Sequence, residues 1–438
     1  MSLDTSSAIE SPLRAKTADI YRGGIIHTIF PSNLELLPNT NQLWEIDMAY
    51  GELSTLGSGR PLIQRCAFFG RVDGVETNHF RICKDSPLQV DKQSSIRRQT
   101  FFKVNQFKTG YATHGLFPYR GKFHPQLVKA IMNIIRLESE ETVLDPMAGS
   151  GTVSIEAALN GIHSIAVDIS PFCSLMTRAK TEALTVDSAQ LRADFELAAG
   201  SADALGITGT RQIGLFHHQA AQDLSRDAAT LDMKHRDIVL LAHLDAMGYA
   251  ARRVNKTASQ LFGVISDRYL SAIERFQTVR AELGLRMGNV DVRTDDARAL
   301  PLADASVDAI ITSPPYSFAV DYAENDRPQL EYLGYDIDDL KRSMVGLTGG
   351  AAVHARVIQY FRDMRTIFGE LARVLKRGGY CVVVIGSNEI QTGGIRHDVE
   401  FAKYGREVGF QLCWDMIRPI EGIRNSMRDE HVMFFRSC

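Results

Sequence analysis

Hydrophobic positions along this chain change their spacing several times, and the changes mark its elements. From about Thr142 onward, short apolar runs alternate with amphipathic stretches, the pattern of a sheet flanked by helices. "TVLD" reads as a first strand and "HSIAVDI" as a second, separated by the helical "TVSIEAALN", which Gly161 terminates. The alternation then stops. Between about Arg178 and Met287 lies an Ala- and Leu-rich helical stretch that includes "HRDIVLLAHLDAMGYAARRV" and "ISDRYLSAIERFQTVRAEL". Strands resume at "VDVR" and "VDAIIT". A long helix, "RVIQYFRDMRTIFGELARVLK", closes at Lys376, and Gly378-Gly379 turns the chain into the strand "YCVVVIG". The helix "DVEFAKYGREVG" then leads to "QLCWDMI" and "HVMFFR", spaced to pair as a hairpin.

These runs predict a doubly wound α/β sheet of about five alternating strands plus a terminal antiparallel pair, with a helical insertion at about 180–287 after the second unit. The expected division is a small α+β unit over residues 1–110 and a main domain over 111–438. In the first unit, "QLWEIDM" and "LIQRCAFFGRV" read as strands. A chain of 438 residues exceeds the size at which one core keeps growing, which also favours two units.

Composition narrows the class. A hydrophobic content of 45% with 23% charged residues is that of an ordinary globular protein, and the net charge of −3 excludes a blanket electrostatic grip on nucleic acid. Any polyanion site is therefore regional. The six cysteines are scattered without a C-x-x-C pair, which speaks against a zinc ribbon or a disulfide framework and suits a reducing cytoplasm. "MSLDTSSAIESPLRAK" lacks the apolar core of a signal peptide, and no apolar run reaches membrane-spanning length.

Immediately after the first strand stands "DPMAGSGTVSIEAA", with Asp145, Pro146, Gly149 and Gly151 ahead of a helix. Glycines at such a turn let the backbone approach a ligand closely, and a nucleoside-containing cofactor is the natural tenant. No lysine follows Gly151, so a triphosphate loop is not indicated, and Ser154 spoils the dinucleotide fingerprint. Asp168 ends the second strand, where a carboxylate can accept from both hydroxyls of a ribose. Asp295-Asp296 follows "VDVR" at the same end of the sheet, within reach of an adenine amino group. Each aspartate alone reads equally as a cap; three acidic strand ends beside one glycine turn favour a ligand.

The stretch "AIITSPPYSFAVDY" ends a strand in Ser313, Pro314, Pro315 and Tyr316. Prolines stop the strand and fix a rigid corner that has carbonyls and no N–H donors. Together with "DPMAGSGT", this "TSPPY" is similar to the motifs of S-adenosylmethionine (SAM)-dependent amino-methyltransferases, particularly DNA methyltransferases of the cytosine-N4 type. The upstream "THGLFPYRGKFHPQLVKAIMNII" resembles that family's segment over the methionine end of the cofactor, and the likeness runs from roughly Tyr111 to Arg436 apart from the insertion.

The resemblance implies a Rossmann-like class I methyltransferase sheet. It implies a SAM site at Phe123, Pro125, Asp145, Pro146, Ala148, Gly149, Ser150, Gly151, Thr152, Asp168, Asp296 and Thr312, and a reacting corner of Ser313, Pro314, Pro315 and Tyr316. Ser313 stands where the similar adenine-specific enzymes carry Asp or Asn, which favours cytosine N4 over adenine N6. A tRNA guanine-N2 methyltransferase, whose family usually has Asp before the prolines, is the alternative. A non-catalytic nucleic-acid-binding protein is a third reading, against which the joint presence of Asp145, Asp168 and Ser-Pro-Pro-Tyr counts.

DNA is thus the expected partner, with Arg97-Arg98, Arg120, Lys122, Arg252, Arg253 and Lys256 as candidates for phosphate contact. The insertion is the expected place of target recognition. Asp321, Tyr322 and Arg327 either line the base pocket or pack the loop after the corner. His124 and His217-His218 read as surface or capping groups, methyl transfer needs no metal, and none is assigned.

Overall fold

The computed structural model of the chain describes residues 29–86, 106–119, 121–204, 235–250, 258–315, 321–347, 353–386, 389–420 and 429–438. The N-terminal segment holds β1 (Leu34–Leu36), α1 (Leu43–Leu56), α2 (Arg60–Arg65), β2 (Phe69–Val72), β3 (Val75–Glu76) and α3 (Asn78–Asp85). Its strands form a small antiparallel sheet in the order β1-β2-β3. "QLWEIDM", expected as a strand, is the start of α1. Trp44, Ile46 and Met48 do alternate with polar residues, but the buried set Trp44, Met48, Ala49 and Glu52 follows helical spacing. Glu45 also takes the free N–H groups of Asn41 and Gln42 at the helix start, at 2.8 and 3.0 Å. "LIQRCAFFGRV" likewise divides into the end of α2 and β2.

The main sheet begins after α4 (Pro125–Ile134). Its first half is β4 (Thr142–Asp145), α5 (Thr152–Leu159), β5 (His163–Asp168) and α6 (Pro171–Glu182). The insertion follows as α7 (Ser188–Ala204), α8 (Arg236–Ala250) and α9 (Ala258–Leu283), before β6 (Val290–Thr294) and β7 (Val307–Thr312). Three short helices come next: α10 (Tyr322–Asn325), α11 (Arg327–Tyr332) and α12 (Ile337–Ser343). The chain ends with α13 (Val353–Val374), β8 (Leu375–Gly386), α14 (Glu389–Thr392), α15 (His397–Glu407), β9 (Phe410–Pro419) and β10 (Asp429–Ser437).

The seven strands run in the order β6-β5-β4-β7-β8-β10-β9, with β10 antiparallel to both neighbours and the other pairs parallel. This is the expected doubly wound α/β sheet with its terminal hairpin. The expected Gly378-Gly379 turn is a bulge inside β8, where the register against β7 slips and Gly378 takes φ 81°. A Cβ on Gly379 would lie 2.6 Å from the carbonyl oxygen of Asp308.

One face of the sheet packs against α1 and α4 in a continuous core, in which Trp44 and Met48 join Leu127, Ile131, Val143 and Ile311. Buried Glu52 ties the N-terminal segment to this core: it accepts from the N–H of Ala67 at 2.8 Å and from the Asn133 amide at 2.6 Å. The other face is covered by α13 and α15. Helices α6 to α9 form a cluster of their own, which also takes in Phe117, Leu330 and Tyr332. The chain leaves β4 toward β5 on one side and returns to β7 on the other, so a crevice opens at the carboxyl ends of β4 and β7. Doubly wound sheets bind their ligands at such a switch point.

Candidate active site

β4 ends in Asp145, and the chain turns through Pro146–Gly151 into α5. Two glycines in this turn do different work. Gly149 has φ 52°, and a Cβ there would meet nothing within 4 Å, so the space beside it is open to a ligand. Gly151 has φ 77° and serves packing instead: a Cβ would sit 2.8 Å from the Thr177 side chain of α6. Asp168 fixes the turn from the neighbouring strand, accepting the Gly149 N–H at 2.7 Å and the Ser170 N–H at 2.8 Å. Burial raises its carboxyl to about 6 against the pull of those two donors. Burial likewise lifts Asp145 to about 7, opposed by the Met147 N–H and the Thr312 hydroxyl and reinforced by the charge of Asp168.

These groups border a cleft enclosing about 970 Å³, part of it open to solvent. Its floor is Asp145, Pro146, Ala148, Gly149 and Ser150, with Asp168 and Asp296 beyond; Ser313 and Pro315 stand at one side. The segment before α4 covers it with Tyr119, Gly121 and Phe123, and Met344, Val345 and Leu347 add an apolar wall. Asp296 is held by Arg298 through bonds of 2.9 and 2.6 Å. Burial works to raise its carboxyl, but Arg298 brings it below the ordinary range. Among the described lining residues there are three carboxylates and no lysine, arginine or histidine.

The remaining expected residues stand behind this surface. Pro125 opens α4, where His124 caps by accepting the Leu127 N–H at 3.3 Å. Thr152 is buried and donates to the Phe123 carbonyl at 3.4 Å. Thr312 is buried at the end of β7, and buried Pro314 does not line the cleft. Tyr316, Arg97, Arg98, Arg120, His217, His218, Arg252, Arg253 and Lys256 lie outside the described residues. Lys122 does not suit a phosphate contact, because it points inward and donates to the carbonyls of Thr109 and His114 at 3.1 and 3.0 Å. Of the three residues expected after the corner, only Tyr322 lines the cleft. Asp321 caps α10, and Arg327 pairs with Glu324 and Glu331.

Sequence reasoning missed Tyr119, Cys173 and the wall at 344–347. The aromatic run "FPYRGKF" was a usable signal for Tyr119; the others come from packing. Among the described residues, ligand atoms of Asp398, Asp415 and His431 lie within 4.8 Å of one another. Arg396 pairs with Asp398 at 2.6 Å and His431 with Asp415 at 3.0 Å, which makes this group two ion pairs.

Residues 116–330 match the family model UPF0020, an RMKL-like methyltransferase domain. The stretch spans the glycine turn, the insertion and the Ser-Pro-Pro corner. The type II methyltransferase M.MjaII of Methanocaldococcus jannaschii is 41% identical over 69 residues, 16% of this chain and 13% of that protein. The type II methyltransferase M.BsoBI of Geobacillus stearothermophilus is 22% identical over 298 residues, 56% of this chain and 57% of its own. The chain thus spans 13% of the length of the first relative and 57% of the second. A SAM-dependent methyltransferase structure from Methanosarcina mazei aligns with 69% of this chain and 94% of its own, at 12% identity and a TM-score of 0.30. No described helix is long and apolar enough to cross a membrane.

Proposed function

We propose that this chain is a SAM-dependent amino-methyltransferase that acts on DNA and forms N4-methylcytosine. One observation carries the reading: Ser313 and Pro315 share a cleft with the glycine turn and two carboxylates that have no basic partner, the buried Asp145 and the half-buried Asp168. A cleft with three carboxylates and no basic side chain among its described lining residues repels a pyrophosphate or triphosphate and suits a ligand with net positive charge. SAM fits that requirement, and it fits the open side of Gly149. Asp168 would take the ribose hydroxyls, Asp296 the adenine amino group, and Phe123 would cover the cofactor.

The amino group of cytosine is a poor nucleophile because its lone pair is delocalised into the ring. Acceptors on both amino hydrogens, the Ser313 hydroxyl and a backbone carbonyl of the Pro314-Pro315 corner, would pyramidalise the nitrogen and stabilise its developing charge. SAM, when bound, would supply a methyl group that the nitrogen lone pair could take as the carbon–sulfur bonding pair stays with sulfur. The cationic product nitrogen then loses a proton to water. Tyr316 would stack on the base after it leaves the duplex, and the insertion would read the target sequence. The relatives' description as type II methyltransferases favours DNA over RNA.

Incubation with tritiated SAM and either duplex DNA or total tRNA, followed by nucleoside analysis, tests the reading. Labelled N4-methylcytosine in DNA is expected. Label in tRNA N2-methylguanosine or in DNA N6-methyladenine replaces the substrate assignment, and no label in either polymer overturns the catalytic one.

A further inference from the structure

Asp321, Asp326 and Asp336 each precede a short helix, and two of them do what that position favours. Asp321 accepts from the Glu324 N–H, and Asp336 from those of Asp338 and Asp339. Asp326 makes no such cap on α11. Its side chain instead turns to the strap, the segment before α4 that covers the cleft, where the Tyr119 hydroxyl donates to it at 3.3 Å; the same hydroxyl lies 3.6 Å from Cys173 Sγ. Tyr119, Cys173 and Tyr322 all line the cleft, and Asp326 is only 8% exposed.

An uncapped helix start and a buried carboxylate are both unfavourable for folding alone. The groups facing Asp326 do not relieve the burial. They are Tyr119 from the strap, Cys173 from α6, Asp168 at the end of β5 and Tyr322 from α10, none of them a cation. The neighbouring Arg327 is engaged by Glu324 and Glu331. Burial and the charge of Asp168 raise the Asp326 carboxyl to about 7, while Tyr119 works to lower it.

We infer that Asp326 is a specificity-determining carboxylate directly behind the lining of the cofactor cleft, one that favours the cationic sulfonium of SAM over the neutral thioether S-adenosylhomocysteine left after transfer. The inference rests on the SAM reading and deepens it. Asp326 would act through the charge of the ligand, since the two molecules differ by one methyl group and one unit of charge. The consequence is easier exchange of spent cofactor for fresh.

Calorimetric titration of wild type, Asp326→Asn and Asp326→Glu with SAM, S-adenosylhomocysteine and sinefungin tests this. Sinefungin carries an ammonium in place of the sulfonium. At pH 8, Asp326→Asn is expected to weaken SAM and sinefungin about tenfold, the scale of one charge pair at several ångströms, and to leave S-adenosylhomocysteine nearly unchanged. Asp326→Glu should keep the wild-type preference. Equal shifts for all three ligands, or none, would overturn the inference. Should the Asn variant not fold, Asp326→Ser takes its place with the same expected loss of preference for the two charged ligands, and an unaltered preference refutes the role. If wild type binds none of the ligands, the SAM reading itself fails; if wild type binds SAM and the variant's preference is unaltered, only this inference does.

Discussion

Replacing Asp168 by alanine separates the cofactor role of the cleft from its effect on stability. In the folded chain this carboxyl is raised from an ordinary 3.8 to about 6, with burial as the main cause. At about 1.4 kcal/mol per pH unit, holding it ionised costs the fold about 3 kcal/mol. Because the folded value is the higher one, the stability linked to this group is present at low pH and is lost as pH rises through about 6. By pH 8 the loss is complete. Alanine removes it, and gives up the bonds to the Gly149 and Ser170 N–H groups, worth about 1 kcal/mol each in the neutral acid.

The two effects nearly cancel at pH 8, so urea unfolding of the unliganded variant should give a stability within about 2 kcal/mol of wild type. At pH 4.5 the variant should fall further behind, since wild type then keeps its proton. SAM affinity should behave otherwise. Two ribose hydroxyls donating to a charged acceptor contribute at least about 3 kcal/mol, so Kd should rise about a hundredfold. Calorimetry showing a Kd within a few-fold of wild type would refute the ribose assignment. An unliganded stability more than about 3 kcal/mol below wild type at pH 8 would refute the burial argument.

Other outcomes follow from the same geometry. Gly151→Ala should lose about 2–4 kcal/mol in urea unfolding, from left-handed backbone and the contact with Thr177; adding Thr177→Ala should recover the contact part and leave about 1–2 kcal/mol. Tyr316→Ala should lose most turnover on duplex DNA while SAM affinity stays within twofold, given that one stacked base contributes about 1–3 kcal/mol; full activity would refute stacking. SAM should raise the melting temperature more at pH 8 than at pH 5.5, because a cation binds best once Asp145 and Asp168, raised to about 7 and about 6, have ionised. A larger gain at pH 5.5 would contradict that linkage.

The parts of the fold that were legible in the sequence are those in which one residue pattern admits one geometry. Buried parallel strands such as "VDAIIT" and "YCVVVIG" are short apolar runs between helices, and their order followed from alternation and the terminal hairpin. Trp44–Met48 was misread because five alternating residues fit a strand as well as a helix; the buried carboxylate of Glu52, one turn further on, needs partners distant in sequence to be seen. In the candidate site, Asp145, Gly149, Asp168 and Ser313 were legible since they stand at strand ends of one sheet edge. Met344 was not, because a loop carries it and only packing brings it to the cleft.

That packing ties the cleft to the insertion. Gly121 takes φ 79°, and a Cβ there would lie 3.1 Å from the Tyr322 ring, so the strap and the segment after the reacting corner close on each other without room for a side chain. Both are seated on the core that α6 shares with the insertion. Phe117 of the strap packs on Phe172, while Tyr332 of α11 packs on His243 of α8. One wall of the proposed cofactor cleft therefore rests on a helix proposed to read the target, and the other on α6, which packs against that helix. A shift of α8 on meeting its DNA site would move α11, and with it Tyr322 and Asp326, so the body that would recognise the sequence is also the one that would set how tightly the cofactor is held.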